Sequence, residues 1–321
     1  MINTYRPEGS LIASPENREY LSSLSGLERA RDLGKILEAT VLLCDSSMRL
    51  HVNLYGIKGI IEKEECAWCR EGESIKDIAI ITRVGKPVAF KVMGISYEDG
   101  RPVAILSRRE AQLDCLRNYL SDLITGDIIP AKVTHLENFG AFVDIGCGIA
   151  SLLSVDSISV SRIAHPRDRL KIGDLIYTVV KAIDHDANRI FVSMRELLGT
   201  WEENAAGFEV GQTVSGIVRS IESYGVFVEL APNLAGLAEI RDGTRDGEIA
   251  TIGEQVAVYI KSIIPDRMKI KLVLIDSYKG DPLTSGIKYY IDYNSVSHID
   301  RWVYSPKGSK KMIESIFSPA F

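Results

Sequence analysis

The sequence predicts a mainly β protein of three tandem small barrels, joined by short helical linkers, with a helical N-terminal extension and a small α/β C-terminal tail. Two observations support this prediction. One segment recurs twice clearly and once faintly, and within each copy apolar residues alternate with polar ones between Gly, Asn and Asp turns. Four or five short strands of this kind are most economically closed into a barrel, because closure removes the exposed sheet edges.

The clearest repeat matches residues 126–143 to residues 211–228, which lie 85 positions later. After a loop that is five residues longer in the first copy, residues 171–183 match residues 251–263 at an offset of 80. The shared positions are Gly126 and Gly211, Val133 and Val218, Phe139 and Tyr224, Gly140 and Gly225, Phe142 and Phe227, and Val143 and Val228. A match of this length indicates two copies of one module.

A fainter copy lies upstream, over residues 34–110. It keeps the order and spacing of the strands but lacks the aromatic-glycine motif, and Met48 and His51 stand where the aromatic residues would be. The predicted organisation is a helical extension over 1–33, a degenerate barrel over 34–110, a helical linker over 111–124, a barrel over 125–196, a linker over 197–208, a barrel over 209–276 and a tail over 277–321.

Helical signals lie before and between the barrels. A Ser-Pro-Glu run at residues 14–16 is a typical helix start. Leucines at helical spacing predict a helix over residues 109–123. In the tail, residues 287–293 and 299–304 predict strands, and residues 309–317 predict a closing helix.

The composition excludes several classes of protein. Of the 321 residues, 45% are hydrophobic and 25% are charged, as in a globular chain. The formal net charge of -5 excludes a globally basic nucleic-acid binder, so any such binding must come from a local face. No apolar run approaches the ~18 residues of a membrane helix. Five cysteines without an export signal predict reduced thiols and a cytoplasmic protein.

The sequence contains no motif typical of catalysis. It has no P-loop, nucleophile elbow, His-Glu-x-x-His run or dinucleotide fingerprint. Cys66 and Cys69 have the spacing of half a zinc site, but no second pair follows at the usual separation. The sequence therefore predicts a protein that is not an enzyme and needs neither a cofactor nor a metal ion.

The second and third units carry a motif with a known likeness. In the second unit, Phe-Gly-Ala-Phe-Val at residues 139–143 is followed by Ile-Gly-Asp and by Ile-Asp-x-x-x-x-Arg-Ile. This series resembles the S1 RNA-binding domain, the OB-fold module of bacterial ribosomal protein S1 and of several ribonucleases. Trp201 is similar to the tryptophan linker between repeats of that ribosomal protein, although the usual preceding proline is absent.

The resemblance covers roughly residues 34–276 and implies three OB-fold barrels that bind single-stranded RNA. The whole chain resembles a short, three-repeat S1-like protein of Gram-positive bacteria. On each barrel of this family, the RNA-binding face consists of two aromatic residues, a histidine, an aspartate and an arginine.

In the second unit, the resemblance assigns the aromatic, aspartate and arginine positions to Phe139, Phe142, Asp184 and Arg189. Ser154 takes the histidine position, and His135 is a candidate substitute. Residues three apart on a regular strand point to opposite faces, so we expect a bend at Gly140 to bring both rings to one surface. The alternative is that both phenylalanines belong to the barrel core.

The third unit keeps Tyr224 and Phe227 but has Ile264, Lys269 and Glu239 at the aspartate, arginine and histidine positions. Because the Glu239 carboxylate repels phosphate, we expect the third unit to bind RNA more weakly. The first unit lacks the aromatic residues, and we expect it to be a structural barrel without an RNA-binding face. Further candidates for phosphate contact are Lys132, Lys181, Arg219, Lys261 and, in the longer loop of the second unit, Arg162, Arg167 and Arg169. The alternative for the loop arginines is pairing with Asp156 or Asp174.

These features favour a non-catalytic protein that binds single-stranded RNA, with messenger RNA as its partner and a role in translation or messenger-RNA metabolism. The alternative is an interaction scaffold that docks on a ribosome or a ribonuclease, with incidental RNA affinity. The acidic net charge favours the scaffold slightly, whereas the aromatic motif favours RNA more strongly. No membrane partner is expected.

Overall fold

A computed structural model of the chain describes residues 5–70, 72–185, 187, 189–239, 250–278 and 286–317. The strands form three closed five-stranded barrels and one two-stranded sheet. This arrangement confirms the predicted fold class, whereas the residue boundaries given for the seven segments stay predictions. No helix within the described ranges is long and apolar enough to cross a membrane.

The first barrel is closed around large aliphatic and aromatic side chains. Its strands are β1 (Leu37–Cys44), β2 (Leu50–Leu54), β3 (Ile57–Ile61), β4 (Pro87–Glu98) and β5 (Arg101–Ser107), in the order β1-β2-β3-β5-β4. Leu50, Leu54 and Phe90 are fully buried inside it. Burial of this apolar surface, at roughly 25 cal/mol per Å², stabilises the closed form.

The second and third barrels repeat the same topology. The second consists of β6 (Ile128–Glu137), β7 (Gly140–Asp144), β8 (Ala150–Ser154), β9 (Leu175–Asp184) and β10 (Arg189–Ser193). The third consists of β11 (Thr213–Glu222), β12 (Gly225–Ala231), β13 (Leu234–Ala238), β14 (Gln255–Ile264) and β15 (Lys269–Tyr278). In every barrel the third strand pairs in parallel with the fifth, so equivalent residues of the repeats occupy equivalent places.

The helices lie in the N-terminal extension, within barrels and between them. They are α1 (Pro15–Leu21), α2 (Leu24–Asp32), α3 (Asp77–Ile81), α4 (Arg108–Asn118), α5 (Val155–Ile158) and α6 (Trp201–Ala205). The Ser14 side chain accepts a hydrogen bond from the Asn17 amide at the start of α1, as the helix-start signal predicted. Trp201 opens α6 and is buried against the core of the third barrel, which gives the linker tryptophan a packing role.

The predicted strand over residues 299–304 is confirmed by β16, but the rest of the tail differs from its prediction. Within residues 286–317, the strands are β16 (Arg301–Val303) and β17 (Glu314–Ile316), which pair with each other. Residues 287–293 form no strand, because side chains hold this segment: the Tyr289 hydroxyl accepts a hydrogen bond from the Tyr177 amide at 2.9 Å. The predicted helix over 309–317 is also wrong, because its first residues bond to the third barrel instead of to one another.

The chain divides into two compact units, and each contains a buried ionic cluster. In one unit, Arg108 Nε lies 2.7 Å from Glu8 Oε1, and Asp144 Oδ2 accepts a hydrogen bond from the Glu8 amide at 2.6 Å. In the other unit, Glu229 pairs with both Arg169 and Arg219. Asp144 and Glu229 are equivalent positions of the repeat, so the same place in two barrels holds a buried carboxylate.

Candidate nucleic-acid interface

Phe139 and Phe142 lie side by side on the outside of the second barrel. Their ring centroids are 6.1 Å apart, and the ring planes are nearly perpendicular at 88°. Phe139 is 56% exposed, whereas Ala141 and Val143 point into the barrel and are fully buried. Phe139 belongs to the turn between β6 and β7, where strand alternation does not apply, so rings three residues apart reach one surface.

Gly140 has a different role from the predicted bend. A β-carbon at this position would lie 2.5 Å from the Leu153 carbonyl oxygen and 2.9 Å from the Ser154 α-carbon. The equivalent Gly225 has the same constraint, with the Ala238 carbonyl oxygen at 2.8 Å. Both glycines therefore allow the strand that carries the second ring to approach its neighbour closely.

The surface beside the two phenylalanines includes a third ring that the sequence analysis missed. Phe191 on β10 is half-buried and lies opposite Leu152 of β8. Arg189, two residues earlier on the same strand, is exposed and lies directly opposite Asp184 across the β9–β10 hairpin. The alternation of a strand places Arg189 and Phe191 on one side, and this parity could have identified Phe191.

The third barrel reproduces the ring pair. The centroids of Tyr224 and Phe227 are 6.2 Å apart with an interplanar angle of 88°, and Tyr224 is 62% exposed. Phe227 lies opposite Leu237, which in turn lies opposite Lys271, so a cation stands where the second barrel has Phe191. Lys271 approaches Glu239 at 3.8 Å.

The other predicted positions of the third barrel follow the repeat. Lys269 lies opposite Ile264 across the β14–β15 hairpin, as Arg189 lies opposite Asp184 in the second barrel. Lys261 and Lys269 are exposed. The third barrel thus has the rings and the cation of the predicted face, but an apolar residue at its aspartate position.

Several predicted polar residues of the second barrel have partners within the protein. His135 is 60% exposed at its side chain and bonds to Glu137 at 2.8 Å. Lys181 donates to Ser157 Oγ at 2.8 Å and lies 3.6 Å from Asp156. The Lys132 ammonium donates to the Glu8 carbonyl oxygen at 2.8 Å and is thus bonded to the N-terminal segment.

Arg169 and Arg219 are corrections to the predicted set. Both side chains are only 8% exposed and bind the Glu229 carboxylate, while Asp168 lies 3.7 Å from Arg219. Burial lowers the pKa of Arg169, and the Glu229 carboxylate opposes that effect. These two arginines therefore form buried ion pairs within the protein, and their side chains are not exposed for contact with phosphate.

The remaining loop arginines of the second barrel stay at the surface. Arg162 and Arg167 are exposed. Neither the predicted Asp156 nor Asp174 pairs with them: Asp156 lies near Lys181, and Asp174 accepts the Lys171 amide at 2.7 Å. Their proposed contact with RNA stays a prediction.

The first barrel has no ring pair at the equivalent position. Met48 packs against the barrel core with a left-handed backbone (φ 62°), and His51 is held by Asp45 at 2.8 Å. This hydrogen bond, together with those from Arg49 and Ser47, lowers the pKa of Asp45. The His51 side chain, which stands at the position of an aromatic residue in the other two barrels, is thus bonded to Asp45 within the first barrel.

Cys66 and Cys69, the two cysteines with the spacing of half a zinc site, differ in burial. Cys66 is buried and its thiol contacts the Glu62 carbonyl oxygen at 3.3 Å, whereas Cys69 is half-buried. Burial raises the pKa of Cys66 to about 12. No group of three or more His, Cys, Asp or Glu side chains in the described ranges is arranged to hold a metal ion.

The sequence of the second barrel matches a known domain family, and most of the chain matches known proteins. A family model described as the S1 RNA binding domain matches residues 122–195, which contain the second barrel. Small ribosomal subunit protein bS1 of Staphylococcus aureus (strain COL) is 30% identical over 302 residues, which cover 88% of this chain and 73% of the relative.

Two further matches are more distant. Small ribosomal subunit protein bS1 of Chlamydia muridarum (strain MoPn / Nigg) is 27% identical over 224 residues, covering 68% of this chain and 38% of the relative. A crystal structure of a multidomain protein with nucleic acid binding domains from Streptococcus pneumoniae TIGR4 aligns with 75% of this chain and 73% of that chain, at 17% identity and a TM-score of 0.24.

Proposed function

The chain belongs to the family of small ribosomal subunit protein bS1, and from this premise we propose that it binds single-stranded RNA and catalyses no reaction. Messenger RNA is the expected ligand, the ribosome is the expected site of association, and the cytoplasm is the expected compartment. An S1 domain at residues 122–195 supports RNA binding, and membership of a ribosomal protein family supports a link to translation.

The observation that carries the proposal is the exposed ring pair of the second barrel. Phe139 is 56% exposed, so the barrel core does not require its ring. A base stacked on such a ring contributes roughly 1–3 kcal/mol. The edge-to-face contact with Phe142, at 6.1 Å between centroids, holds the Phe139 ring in place and reduces the side-chain entropy lost on stacking.

The charge beside the rings supports the same ligand. Arg189 is exposed at the hairpin that flanks the ring surface, and Phe191 extends that surface along the same strand. A guanidinium attracts phosphate while the neutral rings stack on bases, which is the combination that single-stranded nucleic acids need. Because the whole chain carries a net charge of -5, we expect RNA affinity to depend on this local face and to fall with salt.

The proposal is tested by an electrophoretic shift of the full chain with an oligouridylate of about 20 nucleotides, long enough for more than one barrel at about 4–16 nucleotides each. We expect a complex with the single strand, and a large loss of affinity when Phe139 and Phe142 are both replaced by alanine. The matched control replaces Tyr55 and Tyr97, two exposed aromatic residues of the first barrel, and should bind like wild type. Absence of a complex at low salt, or normal binding by the phenylalanine variant, would contradict the proposal.

A protein-docking role is the second candidate, and the first barrel favours it. Leu42, Leu43, Ile81 and Val84 are 40–58% exposed around a groove of about 400 Å³, on the barrel that lacks the ring pair. If the chain docks on the ribosome through protein contacts, the phenylalanine variant should still bind purified small ribosomal subunits. If RNA carries the association, that variant should lose both ligands together.

A further inference from the structure

The third barrel and the tail together present a cationic patch, defined as residues 265–271 of the β14–β15 hairpin and residues 305–312 between β16 and β17. The two segments contain one carboxylate, Asp266. Their six cationic residues are Arg267, Lys269, Lys271, Lys307, Lys310 and Lys311. In a chain with a net charge of -5, this is a strong local concentration of positive charge.

The tail loop is fastened to the tip of the hairpin. Ser309 Oγ donates to the Asp266 carbonyl oxygen at 3.2 Å, and the Lys310 amide donates to the same oxygen at 3.4 Å. Gly308 turns the loop with a left-handed backbone (φ 81°), a conformation that strains residues with a β-carbon. These contacts place the tail lysines next to Arg267 and Lys269.

The base of the loop is closed as well. Ser305 Oγ donates to the Lys311 carbonyl oxygen and accepts from the Ile313 amide, each at 2.8 Å. Ile313 of the tail and Met268 of the hairpin both pack against the core cluster of the third barrel. The lysines therefore extend from a backbone that is already ordered, which lowers the entropy cost of binding.

The tail lysines and Lys269 are available to a ligand, whereas Lys271 lies 3.8 Å from Glu239 in a pair whose two side chains are largely exposed. Lys307, Lys310 and Lys311 are exposed, and no carboxylate of the described residues forms an ion pair with them. The one acidic residue of the patch, Asp266, lies 3.9 Å from Arg267 with both side chains 59% exposed, a geometry that contributes little in water. Most of the positive charge of the patch is therefore not neutralised within the protein.

The patch continues the ring surface of the third barrel. Phe227, Leu237 and Lys271 lie opposite one another on three neighbouring strands. Because adjacent strands are about 4.8 Å apart, Lys271 lies about 10 Å from Phe227 across the sheet. Lys269 lies two residues nearer the tip of the β14–β15 hairpin, to which the tail loop is hydrogen-bonded. Stacked bases and their phosphates could thus follow one continuous surface from the rings to the tail.

We propose that the cationic patch binds the sugar-phosphate backbone of single-stranded RNA and extends the binding face of the third barrel onto the tail. This inference rests on the proposed function. It gives the third barrel a substitute for the polar positions it lacks, since Ile264 replaces an aspartate and Glu239 repels phosphate. Continuity with the rings favours RNA over an acidic protein as the occupant.

The test uses the full chain with lysines 307, 310 and 311 all changed to glutamine, and fluorescence anisotropy with the same oligouridylate over a range of salt. Each phosphate contact on a single strand contributes about 0.7 to the slope of log affinity against log salt. We expect the slope to flatten by up to about 2 and affinity at low salt to fall about ten-fold. A variant with arginine at the same three positions keeps the positive charges and should have the salt slope and the low-salt affinity of wild type.

A matched control changes Lys58, Lys76 and Lys86, three exposed lysines of the first barrel, to glutamine and alters the net charge equally. It should leave the slope close to that of wild type. If the tail variant keeps the wild-type slope while the Phe139 and Phe142 variant loses binding, the patch is not an RNA site and the proposed function stands. If wild type itself fails to bind RNA, both are wrong. An equal slope change in both lysine variants would also overturn the patch, because only net charge would then matter.

Discussion

The second and third barrels share a framework but differ in the side chains around it. Their ring pairs are nearly identical, with centroids 6.1 and 6.2 Å apart and an interplanar angle of 88° in each. The hairpins beside them differ: Arg189 faces Asp184 in the second barrel, whereas Lys269 faces Ile264 in the third. The geometry of the turn and of the strand that follows it thus fixes the ring pair in both barrels, whereas the charges on the neighbouring hairpin differ.

The same comparison extends to the buried carboxylates at one equivalent position. Asp144 of the second barrel accepts hydrogen bonds from the amides of Glu8, Gly146 and Gly148. Glu229 of the third barrel instead binds two guanidinium groups, those of Arg169 and Arg219. In both barrels the carboxylate at this position therefore binds a residue from a distant segment. Asp144 accepts from the Glu8 amide, whereas Glu229 forms an ion pair with Arg169.

The largest expected effect comes from removing this carboxylate in the third barrel. Glu229→Ala leaves two buried guanidinium groups without their partner, and we expect a loss of about 3–5 kcal/mol in the free energy of unfolding. Urea denaturation of the full chain measures it. The control Asp266→Ala removes a carboxylate that is 59% exposed and should change stability little. A loss below about 1 kcal/mol for Glu229→Ala would show that the ion pairs contribute no more than surface pairs do.

The strands and the ring positions could be predicted because their signals are local. Alternation over a few residues identifies a strand, and the recurrence of Phe139 and Phe142 as Tyr224 and Phe227 identifies the equivalent places. The partner of Arg169 could not be predicted, because Glu229 lies 60 residues away and only the tertiary fold brings them together. A basic loop therefore suggested a phosphate contact where the structure has an internal ion pair.

The tail shows a second limit of local signals. The sequence predicted a helix over residues 309–317, but the Lys310 amide there bonds to the Asp266 carbonyl oxygen, which lies 44 residues earlier in the chain. Phe191, by contrast, was within reach of sequence reasoning, since it follows the predicted Arg189 by two positions on the same strand. Local patterns thus identified the barrels and their rings but not the long-range contacts.

A smaller effect is expected from the rings of the third barrel. Replacing Tyr224 and Phe227 together by alanine should weaken binding of a long oligouridylate less than replacing Phe139 and Phe142 does, because the third barrel has a weaker face. The third barrel contributes through effective concentration once the second barrel is bound. The loss of affinity caused by replacing Tyr224 and Phe227 should therefore shrink on an RNA too short to reach both barrels. Fluorescence anisotropy with long and short strands measures both quantities. Equal losses for the two pairs on long RNA would remove the predicted ranking.

The smallest effect concerns single cations. Arg189→Ala and Lys269→Ala should each flatten the slope of log affinity against log salt by about 0.7, the contribution of one phosphate contact. Salt titrations of the full-chain variants measure this change, and Lys58→Ala on the first barrel serves as the control. An unchanged slope for Arg189→Ala would assign this exposed arginine to the surface alone.

The central claim, that stacking on the second barrel carries RNA binding, is tested most directly by a salt titration of Phe142→Ala in the full chain. Stacking contributes roughly 1–3 kcal/mol and releases no counterion, so affinity should fall about five-fold or more while the salt slope stays that of wild type. Circular dichroism and melting should show a folded variant. A folded variant that binds RNA normally would contradict the claim. So would loss of about 3–5 kcal/mol of stability, the cost of removing a core phenylalanine.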